Sequence, residues 1–144
     1  MGILTLVWLP FISRSFRRRK SGVAGYIATG WIETVHGQII EGVFDGRQSK
    51  PAPGLTFTAR HPQRDVYRFK WPDVNWVQVI PKPDPSEFVG IHAEILSKAP
   101  SLKAVVGMCS WPMPGGITFV LLPDASAEDW ISRFRQSGVE VREG

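Results

Sequence analysis

Apolar and polar residues alternate along this chain with two different periods, and the change falls near residue 81. Between residues 55 and 60, Leu55, Phe57 and Ala59 fall on one side and Thr56, Thr58 and Arg60 on the other. Residues 66–71 repeat the pattern, with Tyr67, Phe69 and Trp71 set against Arg68 and Lys70. A period of two is that of a half-buried strand, apolar face inward. Residues 23–35 are rich in β-branched and aromatic types, interrupted by Gly25 and Gly30. Glycine inside a strand marks a bulge or a sharp bend, as a closing barrel needs. His36-Gly37 predicts a tight two-residue turn, residues 39–44 the return strand and residues 74–80 a fifth strand.

Beyond the stiff linker of residues 81–85, Pro-Lys-Pro-Asp-Pro, the period becomes helical. Asp84, Pro85 and Glu87 form a helix start: a cap, a first-turn proline and a capping-box acid. Phe88, Ile91, Ile95 and Ala99 then share one face, widened by Leu96, until Pro100 stops the helix. Residues 103–109 and 117–122 predict two strands around the loop Trp111-Pro112-Met113-Pro114-Gly115-Gly116. Ser126 and Asp129 open a second helix with Trp130, Ile131 and Phe134 as its apolar side. Gly138 ends it, and residues 139–142 form a short closing strand.

The expected fold is therefore α+β. Residues 1–22 form an N-terminal arm, residues 23–80 a small curved barrel or sheet of about five strands, and residues 86–144 an α-β-β-α-β unit. The strand segment with its glycine bends resembles small barrels of the Sm or SH3 type. The final unit is similar to part of a ferredoxin-like fold. Such resemblances bear on fold and carry no function with them.

Length and charge sharpen this picture. A chain of 144 residues has the size of one domain or of two very small ones. Its single cysteine excludes an intrachain disulfide and a cysteine-based metal cluster. The formal charge is +4, yet Arg14, Arg17, Arg18, Arg19 and Lys20 all lie in the first twenty residues, which hold no acid. The rest of the chain carries twelve basic and thirteen acidic residues. The basic character belongs to the arm, and a basic groove over the whole body is not expected.

The first twelve residues, Met-Gly-Ile-Leu-Thr-Leu-Val-Trp-Leu-Pro-Phe-Ile, are mostly apolar. Their charge follows the apolar run, whereas a signal peptide puts it before. The run is too short to span a bilayer, and Pro10 interrupts a helix. Leu6 stands where a myristoylation signal needs Ser or Thr. Residues 3–9 then read as a core strand, a partner-binding arm or an interfacial anchor. A cytoplasmic protein is expected, with peripheral membrane association as the variant.

Catalytic motifs are sparse. No GxSxG, GxxxxGK, HExxH or GxGxxG occurs. His36 and His61 fall in turns, and His92 lies beside the helix face. Their spacing fits no local metal motif, so neither metal nor cofactor is expected. Cys109 ends an apolar strand, where a thiol is structural.

Binding signals are stronger. The arm places five cations and Phe16 within residues 14–20, a composition that attracts phosphates or anionic lipid. Trp111 and Met113, between prolines and glycines, predict a protein-contact tip. The sequence points to a non-catalytic binding or assembly protein. Its arm would contact nucleic-acid phosphates without sequence preference, and its neutral body would contact protein, a homo-oligomer being one form of that contact. A viral or mobile-element accessory or structural protein would suit this pattern. The alternatives are a peripheral membrane protein held by the N-terminus and a small enzyme using Cys109 or His61.

Overall fold

Alternating burial runs through nearly every strand of the computed structural model, which describes residues 26–47, 53–60, 65–110, 115–123 and 127–143. In chain order the strands are β1 (Ile27–Thr34), β2 (Ile39–Asp45), β3 (Gly54–Ala59), β4 (Val66–Lys70), β5 (Val74–Pro81), β6 (Lys103–Cys109), β7 (Ile117–Leu122) and β8 (Glu140–Glu143). The helices are α1 (Ile91–Lys98) and α2 (Ala127–Gln136). All eight strands join one sheet in the order β8-β5-β6-β7-β1-β2-β3-β4. Every pairing is antiparallel except β8 with β5.

This order forces curvature. Only the 3-10 turn Trp71–Asp73 separates β4 from β5 in the chain, yet five strands lie between them in the sheet. The two can be so near in sequence and so far in order only if the sheet curls into a half-barrel. The strands predicted between residues 23 and 80 are part of this sheet, and they do not close into a five-stranded barrel of their own. β7 occupies the free edge of β1, in register from Thr29↔Leu122 to Thr34↔Ile117. The chain on both sides of the proline-rich segment therefore contributes to one sheet.

The inner face carries the main core. Ile32, Phe44, Phe57, Phe69, Val77, Val105, Phe119 and Leu121 point inward and meet Trp130, Ile131 and Phe134 of α2. Burying each of those three helix side chains contributes about 1.5–3 kcal/mol. Close packing of the rings needs gaps in neighbouring strands, and glycines provide them. A Cβ on Gly42 would run into the Phe57 ring, and one on Gly107 into the Phe119 ring.

Helix α2 ends as its sequence predicts. Gly138 takes φ +83°, its N–H donates to the Arg135 carbonyl, and the Val139 N–H reaches back to Phe134. Arg133 ties the helix to the sheet end: its Nε donates to the Gly46 carbonyl at 2.9 Å, and its guanidinium lies over Tyr26 and Trp71.

Among the described residues the outer face is covered only in part. Ile95 and Leu96 of α1 and Ala99 just past it pack with Trp31, Ala104 and Leu122 in a second, smaller core. The helix expected from residue 84 is broken. Asp84 caps, accepting from the Ser86 N–H at 3.0 Å, but it caps only the 3-10 turn Pro85–Glu87. Gly90 then adopts φ +65° and the α-helix begins at Ile91. That reversal lets Phe88 join the packing around α1 from outside the helix. The turn after β1 is wider than two residues. It covers residues 35–38, with Gly37 at φ +82° and the Thr34 N–H donating to the Gln38 carbonyl.

Candidate binding surface

Of the two catalytic candidates, Cys109 and His61, only Cys109 lies among the described residues, and it and His92 have packing environments. Cys109 is fully buried, and burial, with a smaller contribution from Asp73, pushes its thiol up to about 12. A thiol held protonated at neutral pH is a poor nucleophile. His92 sits between aromatic rings, 4.8 Å from Trp31 and 5.7 Å from Phe88 by centroid. Its Nε2 is buried without a hydrogen-bond partner. Among the described residues no group of three or more His, Cys, Asp or Glu gathers to hold a metal, and no helix is long and apolar enough to cross a membrane. His61 lies outside the described residues, as do Arg14, Arg17, Arg18, Arg19, Lys20, Trp111 and Met113.

The basic and aromatic strands divide by face. Phe69 and Trp71 enter the core, Tyr67 packs at its margin, and Arg68 and Lys70 are exposed on the outer face. Phe44 and Phe57 of the adjoining strands also turn inward. The outer face of β2, β3 and β4 therefore presents no aromatic ring. What it presents is Ile39, Glu41, Val43 and Asp45 from β2, Thr56 and Thr58 from β3, and the exposed Val66 with Arg68 and Lys70 from β4, with Arg60 just past β3. A shallow groove of about 280 Å³ lined by Val43, Thr58, Ala59 and Arg60 crosses it.

Charge on this face is arranged in a definite way. Arg47 grips Asp45 through Nε at 3.0 Å and Nη2 at 2.7 Å, and its backbone N–H donates to the same carboxylate. Those contacts hold the Asp45 carboxyl below the usual range. Arg60 pairs with Glu41 at 2.9 Å. Both carboxylates of β2 are thus matched by an arginine, while no ion pair among the described residues engages Arg68 or Lys70. Register sets the row: Ile27 pairs with Asp45, Asp45 with Thr56, and Thr56 with Arg68. The row starts beside Tyr26, whose carbonyl accepts from the Gly46 N–H at 2.8 Å.

A second surface lies at the other side of the sheet. Trp76 and Met108 pair across β5 and β6, Met108 is exposed, and the Arg142 guanidinium stacks 4.7 Å from the Trp76 ring centroid. Sequence reading missed this stack, because β8 meets β5 only through a parallel pairing across more than sixty residues. Alternation in the sequence does set Arg68 and Lys70 opposite Tyr67, Phe69 and Trp71, but it does not reveal that Glu41 and Asp45 are matched by Arg60 and Arg47.

No protein-family model matches the chain, and the curated proteins and solved structures yield no match either.

Proposed function

We propose that this is a non-catalytic binding or assembly protein. In this reading Arg14, Arg17, Arg18, Arg19 and Lys20 hold nucleic-acid phosphates, and the folded body makes protein contacts, the loop bearing Trp111 and Met113 among them. The observation that carries the reading is charge segregation: five cations and no acid in the first twenty residues, against twelve cations and thirteen acids in the remainder. Cations at that density gain affinity by releasing counterions from a phosphate backbone, and the contact reads no sequence. Burial of the Cys109 thiol speaks against that residue as a nucleophile.

The test is binding of labelled duplex DNA and RNA by the full chain. Five phosphate contacts give a log–log salt slope of about −4.5, and replacing Arg17, Arg18, Arg19 and Lys20 by alanine removes about 3.6 of it. Failure of the intact chain to bind either polymer at low salt refutes the reading. Binding to anionic vesicles alone would put the peripheral-membrane alternative in its place.

A further inference from the structure

We infer that the outer face of β2–β4 is a second phosphate-contact surface, with Arg68 and Lys70 as its contacts to a nucleic-acid backbone that also engages the N-terminal cations. The inference rests on the reading above and extends it from the arm to the folded body.

The body is nearly neutral as a whole but not in its parts. Residues 39–70 carry six basic and three acidic side chains, whereas residues 71–144 carry six and nine. One segment is therefore +3 and the other −3. The fold turns this sequence asymmetry into a spatial one. Residues 39–70 supply three consecutive strands at one end of the sheet, and among the described residues α1 packs mainly against β1, β6 and β7, reaching β2 only at Ile39. The β2 carboxylates are occupied by Arg47 and Arg60, so Arg68 and Lys70 project a local excess of positive charge.

Reach joins this face to the arm. Arg68 lies three strand spacings from Ile27 along the Ile27–Asp45–Thr56–Arg68 row, a path of about 14 Å across the sheet. Lys20 is six residues before Tyr26, and six residues span at most about 20 Å. Lys20 and Arg68 can thus serve one stretch of backbone. Arg68 and Lys70, two residues apart on a strand, stand about 7 Å apart, a spacing suited to neighbouring phosphates.

The same face indicates which form of nucleic acid fits. Phe44, Phe57, Tyr67 and Phe69 all turn inward, so no ring is offered for stacking on an unpaired base. A duplex, read by its backbone alone, is the matching partner.

Basic residues on an edge strand have another use, because charges there block edge-to-edge aggregation. Lysine is the residue most used for it, but a carboxylate blocks pairing as well. The opposite edge, β8, carries both signs in Glu140, Arg142 and Glu143, whereas the exposed charges of β4 are all positive. Charge reversal separates the two roles.

The experiment compares the full chain with R68A/K70A, R68E/K70E and the four-residue arm variant, each binding a short blunt DNA duplex. Urea unfolding of every variant comes first, to confirm an unchanged midpoint. Loss of two phosphate contacts makes R68A/K70A less salt-sensitive: between about 50 and 200 mM salt its affinity falls about twelvefold less than that of the intact chain. R68E/K70E, which still guards the edge, binds more weakly again. The inference is overturned if the intact chain binds duplex and R68A/K70A keeps the same salt dependence, in which case the arm alone carries the contacts. Tighter binding of a single strand than of the duplex also overturns it. Absence of binding by the intact chain removes the proposed function, and this inference with it.

Discussion

The curl of the sheet depends on aromatic rings lying over glycines, and Gly107 gives the sharpest test. Gly107 pairs with Val77 on one side and Phe119 on the other, in one row. An added Cβ would stand 3.0 Å from Val77 Cγ1 and closer still to the Phe119 ring. That ring is fully buried and backed by Phe44 at 5.6 Å, so it has little room to yield. Overpacking of this kind costs about 1–3 kcal/mol. Alanine in a strand recovers about 0.5–1 kcal/mol of the entropy that glycine loses on folding. Gly107→Ala should therefore destabilise by about 1 kcal/mol, within the roughly 0–2.5 kcal/mol that the difference of those two effects spans. With a urea slope of about 2 kcal/mol/M, its midpoint should fall by about 0.5 M. In a Phe119→Leu background the obstructing ring atoms are gone and only the 3.0 Å approach to Val77 remains, so the same substitution should lower the midpoint far less. Six tryptophans provide the fluorescence signal for this double-mutant cycle. An equal effect of Gly107→Ala in both backgrounds would refute the ring-over-glycine account of the curl.

Other positions give separate checks. Phe134→Ala, which removes a fully buried ring of α2, should cost about 3–5 kcal/mol in urea unfolding. Lys82 Nζ donates to the carbonyls of Leu96 and Ala99 at 3.2 and 2.7 Å, so Lys82→Met should unfasten the end of α1 and speed amide exchange there before it lowers global stability. Gly138→Ala forces a left-handed residue to carry a Cβ and should cost about 1–2 kcal/mol. Cys109 keeps its proton in the folded state until about pH 12, whereas its ordinary value is 9.0. Between those values the unfolded chain has released a proton that the native chain retains, so stability falls as pH rises through the window. Cys109→Ala should flatten that fall, and a thiol reagent at pH 8 should label the native chain only as fast as it unfolds.

Strands β3 and β4 were legible because a half-buried strand writes its two faces into alternate residues, and Leu55, Phe57, Tyr67 and Phe69 obey that rule. Helix α2 was legible because Trp130, Ile131 and Phe134 recur at helical spacing and Gly138 supplies the stop. The break at Gly90 was not. The start signal at Asp84 is real, but it caps a single 3-10 turn, and only the packing of Phe88 around α1 favours a reversal over a continuous helix. Nor was the pairing of β7 with β1 legible, since a period of two fixes which face is buried and says nothing about which strand lies alongside. For the candidate surface, alternation put Arg68 and Lys70 on the solvent side. The matching of Glu41 and Asp45 by arginines, and the row leading from Ile27 to Arg68, exist only once register is known. The arm cations and the Trp111 loop lie outside the described residues, and their roles stay with the proposal.

Coverage of the sheet explains why the sign of charge on β2–β4 is informative. Helix α1 has eight residues and is about 12 Å long, enough to roof two or three strands spaced about 4.8 Å apart. Among the described residues that one helix leaves most of the outer face without a second layer, and strands of an antiparallel sheet that face water keep polar side chains there. Solvation asks for polarity and is satisfied equally by glutamine, threonine, lysine or glutamate. Folding therefore sets that Arg68 and Lys70 point outward and are hydrophilic, but leaves their sign open. Among the exposed charges, those held in ion pairs have internal partners, such as Arg47 with Asp45 and Arg60 with Glu41. The excess positive charge of Arg68 and Lys70 meets no such internal demand, and it lies in the row that leads to the arm. A positive excess that the fold does not need, within reach of a second positive excess, is what the inferred duplex contact would use, and charge reversal at Arg68 and Lys70 is its test.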